Sequence, residues 1–295
     1  MKIAILSRNV KLYSTQRLIE AGKQRGHEII VIDPLKCFLK IEKDKPEINY
    51  EGKILKDIEA IIPRIGASVT YHGATLIRHF ETQNVYSVVS STSLIRSRDK
   101  LRSLQLLCSA GLEIPKTVYS SSLFEIDSLI DAVGGVPLVI KLLEGTQGLG
   151  VILAETRQAV HSTLDTLHGL KAKFIIQEYI KEAQGTDIRV FIVGNKVVGA
   201  MKRQAKEGEF RSNLHRGGSS THIRLSPEEE KTAIKAAQTI GLDVAGVDML
   251  PSKRGNLILE INSSPGLEGI ENTTQHDIAG EIFDFIQEKV LKKHI

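Results

Sequence analysis

Apolar residues in this chain come in short runs separated by turn residues, and the period of each run predicts its element. "KIAIL" (2–6) reads as a buried strand. A helix is expected after it, from about Ser14, a suitable N-cap, to Gly26, a suitable C′ residue. "EIIVID" (28–33) is the next strand. Strand, helix and strand at this spacing make a βαβ unit, so about the first hundred residues read as a parallel α/β fold. "AIIPRIG" (60–66) and "YSVVS" (86–90) supply further strands. No G-x-G-x-x-G follows the first strand, which argues against the dinucleotide fingerprint.

Around Ser97 the texture changes. "SRDKLRSLQLLCSAGLEIP" predicts a helix capped near Ser97 or Asp99 and closed by Gly111. "PLVIKLL" (137–143) and "VILAE" (151–155) read as an antiparallel pair around the Gly-rich "EGTQGLG" (144–150). A helix from about Thr156 leads to the strand "FIIQEYI" (174–180). "IRVFIVGNKVVGAMKR" (188–203) is a hairpin turning at Gly194-Asn195. In "SPEEEKTAIKAAQTIG" Ser226 and Glu229 form a capping box, Pro227 sits at N1, and Gly241 ends the helix. "VAGVDML" (244–250) and "NLILEIN" (256–262) make a second hairpin around "PSKRG", and a last helix starts at about Asp277. An α/β part therefore precedes a mixed α+β body, and the cleft between them is the natural ligand site.

Bulk numbers narrow the class. Of 295 residues, 41% are hydrophobic and 25% charged, which excludes a disordered chain and allows two domains or three small ones. The net charge of +4 is spread along the chain, and only 5% of residues are aromatic. That pattern favours anionic small ligands or an acidic partner over nucleic acid. Cys37 and Cys108 lie far apart without metal-ligand spacing, so a reducing compartment is expected. The apolar run in "MKIAIL" is too short for a signal peptide, and no run approaches the roughly 18 apolar residues of a membrane span. A cytoplasmic protein is the expectation.

Candidate chemistry begins in "LILEINSSPG" (257–266). Glu260 and Asn262 share one strand face, opposite Leu257, Leu259 and Ile261. With Asp248 in the partner strand they form an oxygen set suited to a hard cation such as Mg²⁺. Simple reflection about the turn pairs Asp248 with Leu259 and puts the two acids on opposite faces. A shared site requires a one-residue shift, such as a bulge near Gly255. A plain solvated strand face is the other reading of these residues.

Gly145, Gly148 and Gly150 let backbone amides approach an anion, and Lys141 leads into that loop; a merely flexible turn fits as well. The spacing is not that of a Walker loop. Lys100, in the first turn of its helix, is a phosphate candidate or a surface lysine. Glu178 ends a strand at whose edge adenine can meet backbone groups. "KEGEFRSNLHRGG" (206–218) is too polar for core and reads as a functional loop, with Arg211 and Arg216 flanking Asn213. His215 there is an acid/base candidate or a bystander. Arg64, in "PRIG", is placed to hold a substrate carboxylate or to make a surface ion pair.

With these stretches in view, the chain resembles the ATP-grasp ligases, and most closely the RimK family of ribosomal protein S6 α-L-glutamate ligases. The likeness runs over nearly the whole chain, through "MKIAILSR", "PRIG", "RDKLRS", "VGGVPLVIKLLEGTQGLGVILAETRQA", "QEYIKEAQGTDIRVFIVG", "RQAKEGEFRSNLHRGG", "DVAGVD" and "LEINSSPGLEGIE". One departure is Gln204, where the family pattern has Arg; it leaves the ligand positions untouched. The resemblance implies an N-terminal parallel α/β (pre-ATP-grasp) domain, 1–98, then a two-lobed ATP-grasp fold. The central lobe with its Gly-rich flap spans 99–178, and the C-terminal lobe with the metal site spans 179–295.

The resemblance also implies that Lys100, Lys141, the Glu178–Tyr179 backbone, Asp187 and the segment Arg211, Ser212 and Asn213 bind ATP. Asp248, Glu260 and Asn262 would hold two Mg²⁺ or Mn²⁺ ions, with Arg211 and Asn213 at the reacting phosphate. The implied reaction is ATP-dependent ligation of glutamate to a ribosomal-protein C-terminus through an acyl phosphate. Arg64 and Arg216 would face the acidic substrate, and a homotetramer is implied. Two alternatives stand beside it: the same fold acting on free glutamate, a carrier protein or a small molecule, and a non-catalytic, nucleotide-dependent regulator bound to the ribosome.

Overall fold

The structure is a computed structural model that describes residues 1–144, 150–212 and 217–293. Strand β1 (Lys2–Leu6) is buried over Ile3–Leu6, as a strand covered on both faces must be. Helix α1 (Tyr13–Gln24) returns the chain to β2 (Glu28–Ile32), and Gly26 takes the left-handed C′ conformation at φ 75°. Ser14 does not cap α1, contrary to expectation. It lies inside the first turn, and its hydroxyl accepts a hydrogen bond from the Leu267 amide at 3.0 Å. A small antiparallel sheet then follows that the sequence pattern did not predict: β3 (Cys37–Lys40), β4 (Glu47–Tyr50) and β5 (Lys53–Ile54). Next come β6 (Ala60–Pro63), α2 (Thr70–Thr82) and β7 (Tyr86–Ser87), which complete a parallel sheet of order β2-β1-β6-β7.

The helix expected to be capped near Ser97 or Asp99 is α4 (Lys100–Ser109), capped at Asp99, and a helix the sequence pattern did not predict, α3 (Ser91–Arg98), runs directly into it. Asp99 breaks them apart: its extended backbone and its carboxylate, accepting from the Arg102 amide at 3.0 Å, cap α4. Ser97 falls inside α3. After β8 (Thr117–Val118) and α5 (Ile126–Ala132), β9 (Leu138–Leu142) and β10 (Val151–Ala154) form the expected antiparallel pair. Helix α6 (Arg157–Gly169) and β11 (Phe174–Glu178) finish a sheet of order β10-β9-β11-β8. This lobe has its own core, built by Ile130, Leu138, Ile140, Leu164 and Ile176.

The rest of the chain forms a second antiparallel sheet. Its elements are β12 (Thr186–Val193), β13 (Lys196–Gln204), β14 (Ser219–His222), α7 (Pro227–Ile240), β15 (Val244–Ser252), β16 (Gly255–Asn262), α8 (Glu268–Thr274) and α9 (Ile278–Lys293). The strand order is β14-β13-β12-β15-β16. The capping box on α7 is present as read from sequence, and Gly241 closes the helix at φ 88°.

This sheet shares one core with the N-terminal sheet, in which Ile5 and Ile61 join Val190, Val247 and Phe283. Arg17 fixes α1 to the C-terminal helices through Glu271 and Asp277, at 3.0 and 2.9 Å. The Tyr86 hydroxyl donates to Asp243 at 2.6 Å. Among the described residues no helix is long and apolar enough to cross a membrane.

Candidate active site

The hairpin of β15 and β16 decides whether the two acids can meet. From the turn outward the pairs are Ser252 with Gly255, Pro251 with Asn256, Leu250 with Leu257 and Met249 with Ile258. Leu259 then has no partner, and Asp248 pairs with Glu260. The required bulge exists, but at Leu259 and not near Gly255, because the tight turn itself keeps simple register. One extra residue restores a common face for Asp248 and Glu260. It also changes which apolar residues face the core. Ile258 and Ile261 do so, beside Val247 and Met249, in place of the expected set Leu257, Leu259 and Ile261. Leu257 turns with Leu250 toward Ile180 and Ala183.

A row of charges crosses this face of the sheet. Arg203 on β13 lies opposite Asp187 on β12, Arg189 on β12 opposite Asp248, and Asp248 opposite Glu260. Asp248 is 2% exposed. Its Oδ1 accepts from Arg189 Nε at 2.7 Å, and its Oδ2 lies 3.0 Å from Arg203 Nη2. Burial pushes the Asp248 carboxyl up, but the two guanidinium groups overcome it and hold the group below the usual carboxylate range. Arg203 also donates from Nε to Asp187 Oδ1 at 2.6 Å. Burial alone would lower the Arg203 pKa; the carboxylates of Asp248 and Asp187 raise it. Glu260 is exposed, and its Oε1 accepts from Asn262 Nδ2 at 3.0 Å.

Cations on other elements lie within the field of Glu260. Lys141 on β9 donates to Gln177 Oε1 at 2.6 Å, and Gln177 Nε2 donates in turn to Thr117 Oγ1 at 2.8 Å. Burial lowers the Lys141 ammonium to about 8, against the field of Glu260, which raises it. Lys100, in the first turn of α4, donates to the Leu143 carbonyl at 2.8 Å beside the Gly-rich loop. Burial lowers its pKa, and Glu260 partly restores it. Arg98 is lowered by burial and raised by the same carboxylate. Arg64 stands just past β6, with its pKa lowered to about 10 by burial and by Arg98.

The remaining expected residues fall as follows. The Glu178 amide donates to the Lys116 carbonyl at 2.9 Å, and its carboxylate accepts from the Lys116 amide and from Arg254 on the β15–β16 turn. Tyr179 follows it, half-buried. Arg211 pairs with Glu209, donating from Nε at 2.9 Å, and this ion pair first of all holds the Glu209 carboxyl down at about 2. Ser212 is buried. Gly150 adopts φ 73°, and a Cβ there would fall 2.7 Å from Leu142. Gly145, Gly148, Asn213, His215 and Arg216 lie outside the described residues.

The turn after β16 folds back over Gly246, where a Cβ would meet Pro265 at 2.8 Å. Ser264 Oγ donates to the Pro63 carbonyl at 3.4 Å, so the turn after β16 lies against the end of β6, next to Arg64. Reading the residues one at a time missed Asp187, Arg189 and Arg203. The available signal was the opposite charges that a paired β12–β13 hairpin places across from one another.

Comparison with known proteins agrees with this fold. A model of the RimK PreATP-grasp domain matches residues 1–94, and a model of the RimK-like ATP-grasp domain matches residues 97–286. The chain is 59% identical over 293 residues to a protein of Pseudoalteromonas translucida (strain TAC 125) named "Probable alpha-L-glutamate ligase", covering 99% of this chain and 97% of that one. A protein of the same name from Vibrio cholerae serotype O1 (strain M66-2) is 58% identical over the same shares. The fold is similar to that of the ATP-grasp ligase PsnB, solved with a precursor variant, Mg and ADP (TM-score 0.76, 20% identity, 98% of each chain). It is also similar to that of D-alanine–D-alanine ligase from Bacillus anthracis (TM-score 0.67, 20% identity, 99% of this chain and 98% of that one).

Proposed function

Because the chain belongs to the RimK-like ATP-grasp family and is an ATP-grasp ligase, we propose that it joins glutamate by its α-amine to the C-terminal carboxylate of an acidic acceptor. The acceptor we favour is a ribosomal-protein C-terminus that itself ends in glutamate. The observation that carries the reading is the Leu259 bulge, which sets Asp248 opposite Glu260; the charge of Glu260 is felt by Lys100 and Lys141 of the central lobe. Two acids thus share one face of the sheet, within the field of two lysines of the central lobe, which supports an acid pole and a phosphate pole.

In this proposal residues 1–98 are the pre-ATP-grasp domain, 99–178 the central lobe and 179–295 the C-terminal lobe. ATP lies between the lobes. Lys100 and Lys141 hold its phosphates, the Glu178–Tyr179 backbone meets adenine, and Asp187 borders it with its carboxylate fixed by Arg203. The segment Arg211, Ser212 and Asn213 reaches the transferring phosphoryl group, and the loop of Gly145, Gly148 and Gly150 excludes water from the acyl phosphate.

Two carboxylates and an amide oxygen on one face suit Mg²⁺ or Mn²⁺, and the Asp248 carboxylate retains lone pairs beyond those its arginines take. Asp248, Glu260 and Asn262 would hold such ions, whose chemistry is to neutralise charge on the β- and γ-phosphoryl oxygens. The acceptor carboxylate attacks the γ-phosphorus, ADP leaves, and the glutamate amine displaces phosphate to form the amide. Positioning and charge neutralisation suffice, and no nucleophilic side chain is required.

The test is incubation with ATP, Mg²⁺, glutamate and an acidic peptide. ADP release and a peptide heavier by one or more glutamate residues are expected. ATP left intact would support a non-catalytic regulator, and ADP release with an unmodified peptide would move the acceptor to free glutamate, a carrier protein or a small molecule.

A pH dependence follows from Lys141. Its ammonium is lowered to about 8 in the folded chain, so it is largely charged at pH 7 and neutral at pH 9. Phosphate binding favours the charged form. ATP affinity is therefore expected to be flat below about pH 8 and to weaken above it, by up to about tenfold per pH unit. Calorimetric titration at pH 7, 8 and 9 checks this. Lys141→Arg is expected to flatten the profile, and an unchanged profile in that variant would place the titrating group elsewhere.

A further inference from the structure

The strands β1 and β6 end side by side: the Arg64 amide donates to the Leu6 carbonyl at 2.9 Å. This is the carboxyl edge of the parallel sheet, where α/β folds take their ligands. Arg64 is the first residue past β6. Arg98, the last residue of α3, arrives from the other side, and its Nη2 donates to the Ile65 carbonyl. That bond fixes the guanidinium without neutralising it. The Arg98 Nε is buried with no hydrogen-bond partner, and no described residue accepts from the Arg64 side chain. Because Arg98 bonds the carbonyl of the residue that follows Arg64, the two arginines meet at one point of this edge. Beside them the Ser263 hydroxyl is also buried and unpartnered, one residue before the Ser264 that touches Pro63. A guanidinium anchored on one carbonyl, with a buried donor unused and a second arginine at the same edge, suits an anion.

We infer that Arg64 and Arg98 form a carboxylate-binding pair for the incoming glutamate, with Arg98 a specificity residue. The inference rests on the ligase reading. Glutamate reacts through its amine and keeps both carboxylates ionised throughout, so each needs a lasting counter-charge. The planar fork of Arg suits a carboxylate, whereas the phosphate pole uses the point charges of Lys100 and Lys141. Ser264, in the turn that follows Glu260 and Asn262, touches the carbonyl of Pro63 next to Arg64, which places the pair beside the end of β16.

The experiment measures KM for glutamate, ATP and acceptor peptide in the full chain and in Arg98→Gln, with Arg64→Gln as a second variant should the first fail to fold. KM for glutamate is expected to rise about tenfold or more, with KM for ATP and for peptide within about twofold. Arg98→Lys should recover part of the loss. Glutamine and isoglutamine as co-substrates tell which carboxylate is read, because the variant loses discrimination only against the analogue lacking that group. An unchanged KM for glutamate, or a shift confined to ATP or peptide, overturns the pair. Calorimetric titration of glutamate into the ATP-loaded proteins separates this outcome from failure of the ligase reading. Equal affinity in wild type and variant, or no binding by wild type, overturns the pair whether or not amide is formed. Absent turnover with an Arg98-dependent affinity overturns only the ligase reading.

Discussion

Glu260→Gln is expected to lower glutamate-dependent ADP release by about a hundredfold to a thousandfold while leaving the fold intact. The side chain is exposed, so exchange for its amide isostere removes no packing, and the stability change should stay within about 0.5 kcal/mol. The lost charge matters more. Glu260 is the acid whose field reaches Lys100, Lys141 and Arg98, and it stands opposite Asp248 across the bulge. A neutral amide there weakens any divalent cation and upsets the balance against three converging cations. Steady-state ADP release and a Mn²⁺ titration followed by electron spin resonance give two independent readings. Turnover near the wild-type rate would sink the metal assignment, whatever the titration showed.

Much of the fold was legible because hydrophobic period and turn residues agreed. The capping box at Ser226, the βαβ start and both C-terminal hairpins stand where the pattern put them. The small sheet β3–β5 escaped because its strands have two to four residues in a stretch rich in Lys, Asp and Glu, with no period to read. Asp99 was legible as a cap, but α3 before it escaped because its Ser- and Arg-rich stretch shows no clear apolar period.

At the site, the need for a one-residue shift was legible from Asp248 and Glu260 alone, since reflection about the turn separated them. Its position was not, because nothing in "NLILEIN" distinguishes Leu259 from its apolar neighbours. Asp187 entered only through the family resemblance, and Arg189 and Arg203 drew no notice among the charges of their strands. Their meaning lies in cross-strand register, which brings Asp187 to Arg203 and Arg189 to Asp248. Arg98 carried no signal, because its significance depends on a tertiary neighbour, Arg64, contributed by another element.

Asp248→Ala is expected to destabilise the C-terminal sheet by about 3–5 kcal/mol, in contrast to Glu260→Gln. Asp248 is buried and serves two guanidinium groups. Its removal leaves Arg203 with Asp187 but strands Arg189, for which no other described acid is in contact. The cost is therefore that of an uncompensated charge, and it exceeds the worth of the pair itself. Arg189→Met in the Asp248→Ala background should recover much of the loss, because it removes the stranded charge and keeps apolar bulk.

The pH dependence has a definite sign. The folded Asp248 pKa lies below its unfolded value, so between the two the unfolded chain binds more protons and stability rises with pH. The contribution is complete above the unfolded pKa and is lost as pH falls through the folded one. Asp248→Asn should therefore flatten the acid limb of the stability curve below about pH 5. Urea unfolding from pH 3 to 7 measures both effects. If Asp248→Ala unfolded at the wild-type urea concentration across that range, the arginines would not depend on this carboxylate. The row of charges across the sheet would then serve the substrate alone and contribute nothing to the fold.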